Sequence, residues 1–149
     1  MANDNKNKED VRKEGKYDPR NQLNDLTGKE WLKLTKSFWL SEKCADDKAA
    51  FAHPAPFLIR DIEKLISFFT KKEMIVLDPF MGSGTTAIAS YNLGRKAVGM
   101  DLNKEYKVLA LKRFSEKGMK ECDYTYQIGD SAKELTGLGE VDYVVTSPI

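Results

Sequence analysis

The sequence predicts an α/β fold: an open, doubly wound sheet of about four parallel strands behind an N-terminal helical extension. Two observations carry this expectation. Between residues 58 and 146, short apolar runs alternate with segments whose apolar residues recur every three or four positions, as strands alternate with covering helices. The first of those runs ends in Asp78-Pro79-Phe80-Met81-Gly82-Ser83-Gly84 and passes directly into a helical stretch. At 149 residues the chain has the length of one domain.

Residues 1–20 are polar, of mixed charge and poor in apolar side chains. They bury too little surface to offset the entropy of ordering and are expected to form a disordered arm, with residues 21–149 as the domain. Thr27-Gly28-Lys29-Glu30 has the spacing of a capping box with Thr27 as N-cap. Trp31, Leu32, Leu34, Phe38 and Trp39 then supply an apolar face, and residues 41–50 read as a polar loop. In His53-Pro54-Ala55-Pro56-Phe57 each proline biases its predecessor towards extended backbone. A helix follows, with Leu58, Ile62, Leu65, Ile66 and Phe69 on one side.

From there the period changes. Met74-Ile75-Val76-Leu77 is the continuous apolar run of a buried parallel strand. The next helix runs from Thr85 to Leu93 and stops at Gly94, and a second strand, Ala97 to Met100, ends at Asp101. Asn103 caps a longer helix that turns Tyr106, Leu109, Ala110 and Phe114 inward and ends near Gly118. Tyr124–Ile128 and Asp142–Thr146 complete the set of strands.

Composition sets few limits. The 24 basic and 23 acidic residues give a net charge of +1, well short of the basic patch of a protein that grips duplex DNA by itself. Lys71-Lys72 and Lys112-Arg113 read as solvated helix ends. Cys44 and Cys122 are far apart and lack metal-ligand spacing, so they are expected to be free thiols in a reducing cytosol. The N-terminus has no apolar signal region, and no apolar run approaches the roughly 20 residues of a membrane span. A cytoplasmic location is expected.

The chemistry concentrates between Asp78 and Thr86. Gly82 and Gly84 allow a sharp turn and close approach of a ligand to the backbone. The helix that follows offers unpaired N–H groups to a carboxylate or phosphate, and Thr85 and Thr86 can cap it or bind the ligand. Asp101, at the end of the next strand, stands where a carboxylate accepts hydrogen bonds from ribose hydroxyls. Together these describe a nucleoside-binding crevice. The Gly-Lys of a phosphate loop is missing, whereas Gly82-x-Gly84-x-x-Ala87 satisfies the loose form of a dinucleotide fingerprint.

The longer string Asp78-Pro79-Phe80-Met81-Gly82-Ser83-Gly84-Thr85-Thr86 closely resembles the S-adenosylmethionine motif of DNA methyltransferases that modify the exocyclic amino groups of cytosine or adenine. The segments Leu23–Trp31 and His53–Phe57 look like cofactor-side elements of one branch of that family, and Asp142–Pro148 looks like the approach to its catalytic Ser-Pro-Pro-Tyr. The resemblance implies a Rossmann-like methyltransferase sheet in the order 3-2-1-4, incomplete here, and S-adenosylmethionine as cofactor. It also implies roles. Asp78, Pro79 and Phe80, with Gly82, Ser83, Gly84, Thr85 and Thr86, would surround the methionine end, and Asp101 would hold the ribose. Asp130 would contact the adenine, while Pro56 and Phe57 would close over the cofactor. His53 is expected only to pack beside its prolines.

Ser147 and Pro148 would be the catalytic pair. An exocyclic amine is a poor nucleophile until both its hydrogens are accepted by a polar side chain and the proline carbonyl, after the base has left the duplex. The implied partner is double-stranded DNA with a flipped base. Ile149 stands where the family has a second proline and then an aromatic, so a second polypeptide supplying the missing half is a further expectation, and the chain alone is expected to be inactive. An RNA guanine-amino methyltransferase fragment and a non-catalytic S-adenosylmethionine-binding module remain as alternatives.

Overall fold

The computed structural model describes residues 16–147. The elements are α1 (Gly28–Leu34), a 3₁₀ helix (Ala45–Ala52), α2 (Ile59–Phe69), β1 (Ile75–Asp78), α3 (Thr85–Asn92) and β2 (Lys96–Asp101), then α4 (Lys104–Lys117), β3 (Tyr124–Ile128), α5 (Ser131–Glu134), a 3₁₀ turn (Leu135–Leu138) and β4 (Tyr143–Val144). The four strands form one parallel sheet in the order β3-β2-β1-β4, as expected. Asp78 aligns with Gly99, and Asp101 with Ile128, so the carboxyl ends of β1, β2 and β3 lie on one edge of the sheet. Buried Ile62, Ile66, Val76, Ile88, Ala97 and Phe114 belong to a continuous core shared by the helices and the strands.

Local signals act where the sequence places them. The Thr27–Glu30 capping box is formed in both directions. Asn103 accepts the Glu105 amide to start α4, and Gly118, at φ 76°, ends it in the left-handed conformation that favours glycine.

Four expectations are corrected. The apolar face of the first helix is narrower than its composition suggests: Trp31 packs on Phe68 at 4.7 Å, whereas Leu32 is 72% exposed. Phe38 and Trp39 lie beyond the helix end and are exposed. A helix that ends at Leu34 cannot carry a stripe that runs on to Trp39. Residues 41–50 are not all loop, because Asp47 is buried and fixes the 3₁₀ helix. Its two carboxylate oxygens accept the amides of Cys44 and Ile59 at 2.7 and 2.9 Å. Phe69 is largely exposed, stacked on Tyr143 at 5.3 Å rather than sunk in the core. Arg113, read as part of a solvated helix end, is buried under the glycine turn.

Residues 1–15, most of the expected arm, lie outside the described residues, as do Pro148 and Ile149. Residues 16–20 touch the domain: Lys71 Nζ donates to the Tyr17 hydroxyl, and the Gly28 amide to the Lys16 carbonyl. Buried Asn24 donates to the Phe68 carbonyl at 2.6 Å and Asp25 accepts the Lys72 amide at 2.7 Å, which hold the extension against the base of α2. Among the described residues no helix is long and apolar enough to cross a membrane.

Candidate functional site

A cleft of about 250 Å³ opens at the carboxyl edge of the sheet. One wall is the proline segment, with His53, Pro56 and Phe57; the floor is the turn after β1, with Pro79, Phe80, Gly82, Ser83 and Thr85. Asp101, Leu102 and Tyr106 come from the end of β2 and the start of α4, and Gly129 and Ser131 flank the end of β3. Ser147 completes the rim beyond β4. Nine of the site residues expected from sequence are thus brought together: Pro56, Phe57, Pro79, Phe80, Gly82, Ser83, Thr85, Asp101 and Ser147.

Asp78, Gly84 and Thr86 instead lie beneath the floor and do not face the cleft. The buried Asp78 carboxylate accepts the hydroxyls of Thr86 at 2.6 Å and Thr146 at 2.7 Å, and the Phe80 amide at 3.1 Å. Burial pushes its pKa up, against the opposing pull of those donors. Gly84 has φ 80°, and a Cβ there would lie 2.5 Å from the Phe114 ring. Its smallness serves the packing of α4 against the turn rather than the approach of a ligand. Gly82, at φ 50°, does face the cleft, beneath the His53 ring.

Asp101 holds the turn in place. Its Oδ2 accepts the Gly82 amide at 2.8 Å, and its Oδ1 accepts the Asn103 amide at 2.8 Å. An ionised carboxylate has about four lone-pair sites, so each oxygen keeps capacity for a hydroxyl from the cleft. Tyr126 secures the same turn from below by donating to the Gly82 carbonyl at 2.7 Å. Burial raises its pKa, as do the nearby charges of Asp101 and Asp78, so the phenol stays a donor.

Asp130 is used differently. Its carboxylate caps α5 by accepting the Ala132 amide at 3.0 Å and pairs with Lys133 at 2.9 Å. The Lys133 bond and that amide hold its pKa below the ordinary carboxylate value. Its chain neighbours, Gly129 and Ser131, are the ones that line the cleft. His53 is packed as expected, buried against Tyr106 with ring centroids 4.3 Å apart and with Nδ1 accepting the Ala55 amide, yet it also forms cleft wall.

Leu102, Tyr106, Ser131 and the supporting Tyr126 escaped the sequence reading as site residues. Leu102 and Tyr106 had a signal in their place just after the acid that ends β2. Tyr126 had none beyond strand alternation.

A sequence model of the family described as DNA methylase matches residues 1–112. The type II methyltransferase M2.DpnII of Streptococcus pneumoniae is 38% identical over 111 residues, which cover 72% of this chain and 38% of that protein. M2.LlaDCHI of Lactococcus lactis subsp. cremoris is 39% identical over 87 residues, 56% of this chain and 32% of that one. The chain therefore spans about a third of the length of these curated relatives. Among solved structures, a Thermus thermophilus protein described as a DNA modification methylase, in complex with S-adenosyl-L-methionine, aligns with TM-score 0.54 and 29% identity over 70% of this chain and 39% of that one. TrmN from the same organism aligns with TM-score 0.59 and 25% identity over 74% and 34%.

Proposed function

The chain belongs to the DNA methylase family, and from that premise we propose that its cleft holds S-adenosylmethionine for methyl transfer to an exocyclic amino group of a DNA base. The observation that carries the reading is the Asp101–Gly82 bond at 2.8 Å. It sets a carboxylate beside a glycine turn and a helix N-terminus at one edge of a parallel sheet, where such folds take nucleosides.

The residues fit that ligand. The cleft, about 250 Å³, is just below the ~300–1,000 Å³ usual for small-molecule sites, and its open rim leaves room for the remainder. Ser83 and Thr85, at the start of α3, face the carboxylate of the methionine end, where helix N–H groups lack intrahelical partners. Asp101 accepts the ribose hydroxyls. The adenine lies towards Leu102 and the Gly129–Ser131 segment, with Asp130 closing that end, while Pro56 and Phe57 cover the ligand from the opposite wall. When bound, the cofactor supplies an electrophilic methyl group on its sulfonium.

Ser147 then accepts one hydrogen of the target amine at the rim. The hydrogen bond between Thr146 and Asp78 holds its backbone in register with the floor. Pro148 offers its carbonyl to the second hydrogen. Stacking of the extruded base and recognition of the duplex belong to protein outside residues 16–147, on the same or on a second polypeptide.

Isothermal titration with S-adenosylmethionine, its demethylated product and NAD tests the binding step. Binding of the first two without NAD is expected; NAD binding with no response to S-adenosylmethionine refutes the reading. Transfer of labelled methyl groups to mixed-sequence DNA, alone and with a C-terminal partner, tests the reaction.

A further inference from the structure

Arg113 is a charged side chain deeply buried beside the cleft, only 3% exposed, and the proposed chemistry does not use it. It sits on the inward face of α4. Nη1 donates to the Ser83 carbonyl at 2.5 Å, to the Ser83 hydroxyl at 3.2 Å and to the Thr85 hydroxyl at 3.1 Å. Nη2 donates to the Asp46 carbonyl at 3.3 Å, and the buried Nε–H has no partner.

All of these acceptors are uncharged. Among the described residues no carboxylate forms an ion pair with Arg113. Asp46 pairs with Lys117 instead, and Asp47 has both oxygens engaged by backbone amides. Burial lowers the pKa of the guanidinium, but an arginine stays protonated in proteins. The nearby carboxylates of Asp47 and Asp46 offset that burial in part, yet neither forms an ion pair with the guanidinium. The fold therefore keeps a buried positive charge, held by uncharged acceptors, directly behind the Ser83–Thr85 turn. A charge of that sign adds to the partial positive end of α3.

We propose that Arg113 is a positioning residue that makes the cleft selective for a nucleoside ligand bearing a carboxylate. Its Nη1 fixes the turn through two side-chain hydroxyls and one carbonyl, and its charge favours the amino-acid end of the ligand across that turn. This rests on the proposed S-adenosylmethionine site and adds the reason that site distinguishes the whole cofactor from its decarboxylated form.

The test compares S-adenosylhomocysteine with its decarboxylated analogue, which lacks only the carboxylate, in titrations of the parent protein, Arg113→Lys and Arg113→Met, with folding checked by circular dichroism. The parent should prefer S-adenosylhomocysteine. Arg113→Met should lose about tenfold or more of that preference, the order expected for one screened unit charge nearby, over and above any weakening that the loosened turn imposes on both ligands alike. Arg113→Lys, which keeps the charge without the guanidinium, should retain most of the preference. Equal weakening of both ligands in Arg113→Met, or an unchanged preference, overturns the proposal and leaves Arg113 a purely structural support. A parent that binds neither ligand rejects the cofactor reading itself, and this proposal with it. If Arg113→Met does not fold, nitrogen NMR of the parent decides: the Arg113 Nε–H resonance should move with S-adenosylhomocysteine and much less with the analogue, and equal shifts overturn the proposal.

Discussion

The Thr146 hydroxyl donates to Asp78 Oδ1 at 2.7 Å, across 68 residues of chain. That bond joins the residue next to Ser147 to the carboxylate beneath the glycine turn, so the two ends of the cleft share one buried acceptor. Hydrogen bonds to charged groups contribute about 1.5–3 kcal/mol. Thr146→Val should therefore lower stability by about that amount in urea unfolding, and a variant as stable as the parent would show that the bond carries nothing.

Asp78 itself should leave a signature in the pH dependence of stability. Its folded-state pKa is raised, chiefly by burial, so between the ordinary carboxylate value and the raised one the native state binds more protons than the unfolded chain. The Asp78 contribution is then fully present below the ordinary value, near pH 4, and is lost as pH rises through the raised value. Asp78→Asn cannot titrate. The stability of the parent relative to that variant should fall as pH rises above about 4, as read from urea midpoints at each pH; a constant difference contradicts the raised pKa.

Gly84→Ala should be among the costliest substitutions in the turn. A left-handed residue with a Cβ costs roughly 1–2 kcal/mol, and the new methyl would meet the Phe114 ring at 2.5 Å and Ala110 Cβ at 2.9 Å. With about 1–3 kcal/mol for overpacking, a total loss of about 2–5 kcal/mol is expected by thermal or chemical unfolding. Adding Phe114→Leu should recover part of the loss, since the two positions share the clash. Full additivity of the two losses would place the strain elsewhere.

Asp101→Ala removes the acceptor for two loop amides as well as the proposed acceptor for the ribose. Its affinity for S-adenosylhomocysteine should fall by about 1.5–3 kcal/mol, measured by isothermal titration on protein shown to be folded. Unchanged affinity would take Asp101 out of the binding site.

The sheet order and the turn were legible because local chemistry and hydrophobic period agree there. Gly94 and Gly118 end helices, Asn103 starts one, and Val76 and Ala97 face a core from both sides. Arg113 was misread because a Lys-Arg pair resembles a solvated end, yet its spacing gave a signal. It follows Tyr106 by seven positions and Ala110 by three, which puts it on the buried stripe of α4. Phe38 and Trp39 were misplaced for the opposite reason: apolar character alone cannot say where α1 ends. The α5 segment was missed because one helical turn has no period to read, and Asp130 is its only cap signal.

The order of the strands also schedules the birth of the cleft. β1 gains β2 as a neighbour early in synthesis and with it the Gly82 bond to Asp101, and the bond to Tyr126 becomes possible once β3 has emerged. β4, the other neighbour of β1, leaves the ribosome later, and closing so long a loop adds an entropic cost. The Asp101 end of the cleft can therefore be assembled while Asp78 still waits for Thr146. A ligand present in the cell can stabilise that half-built protein by mass action before its fourth strand has docked.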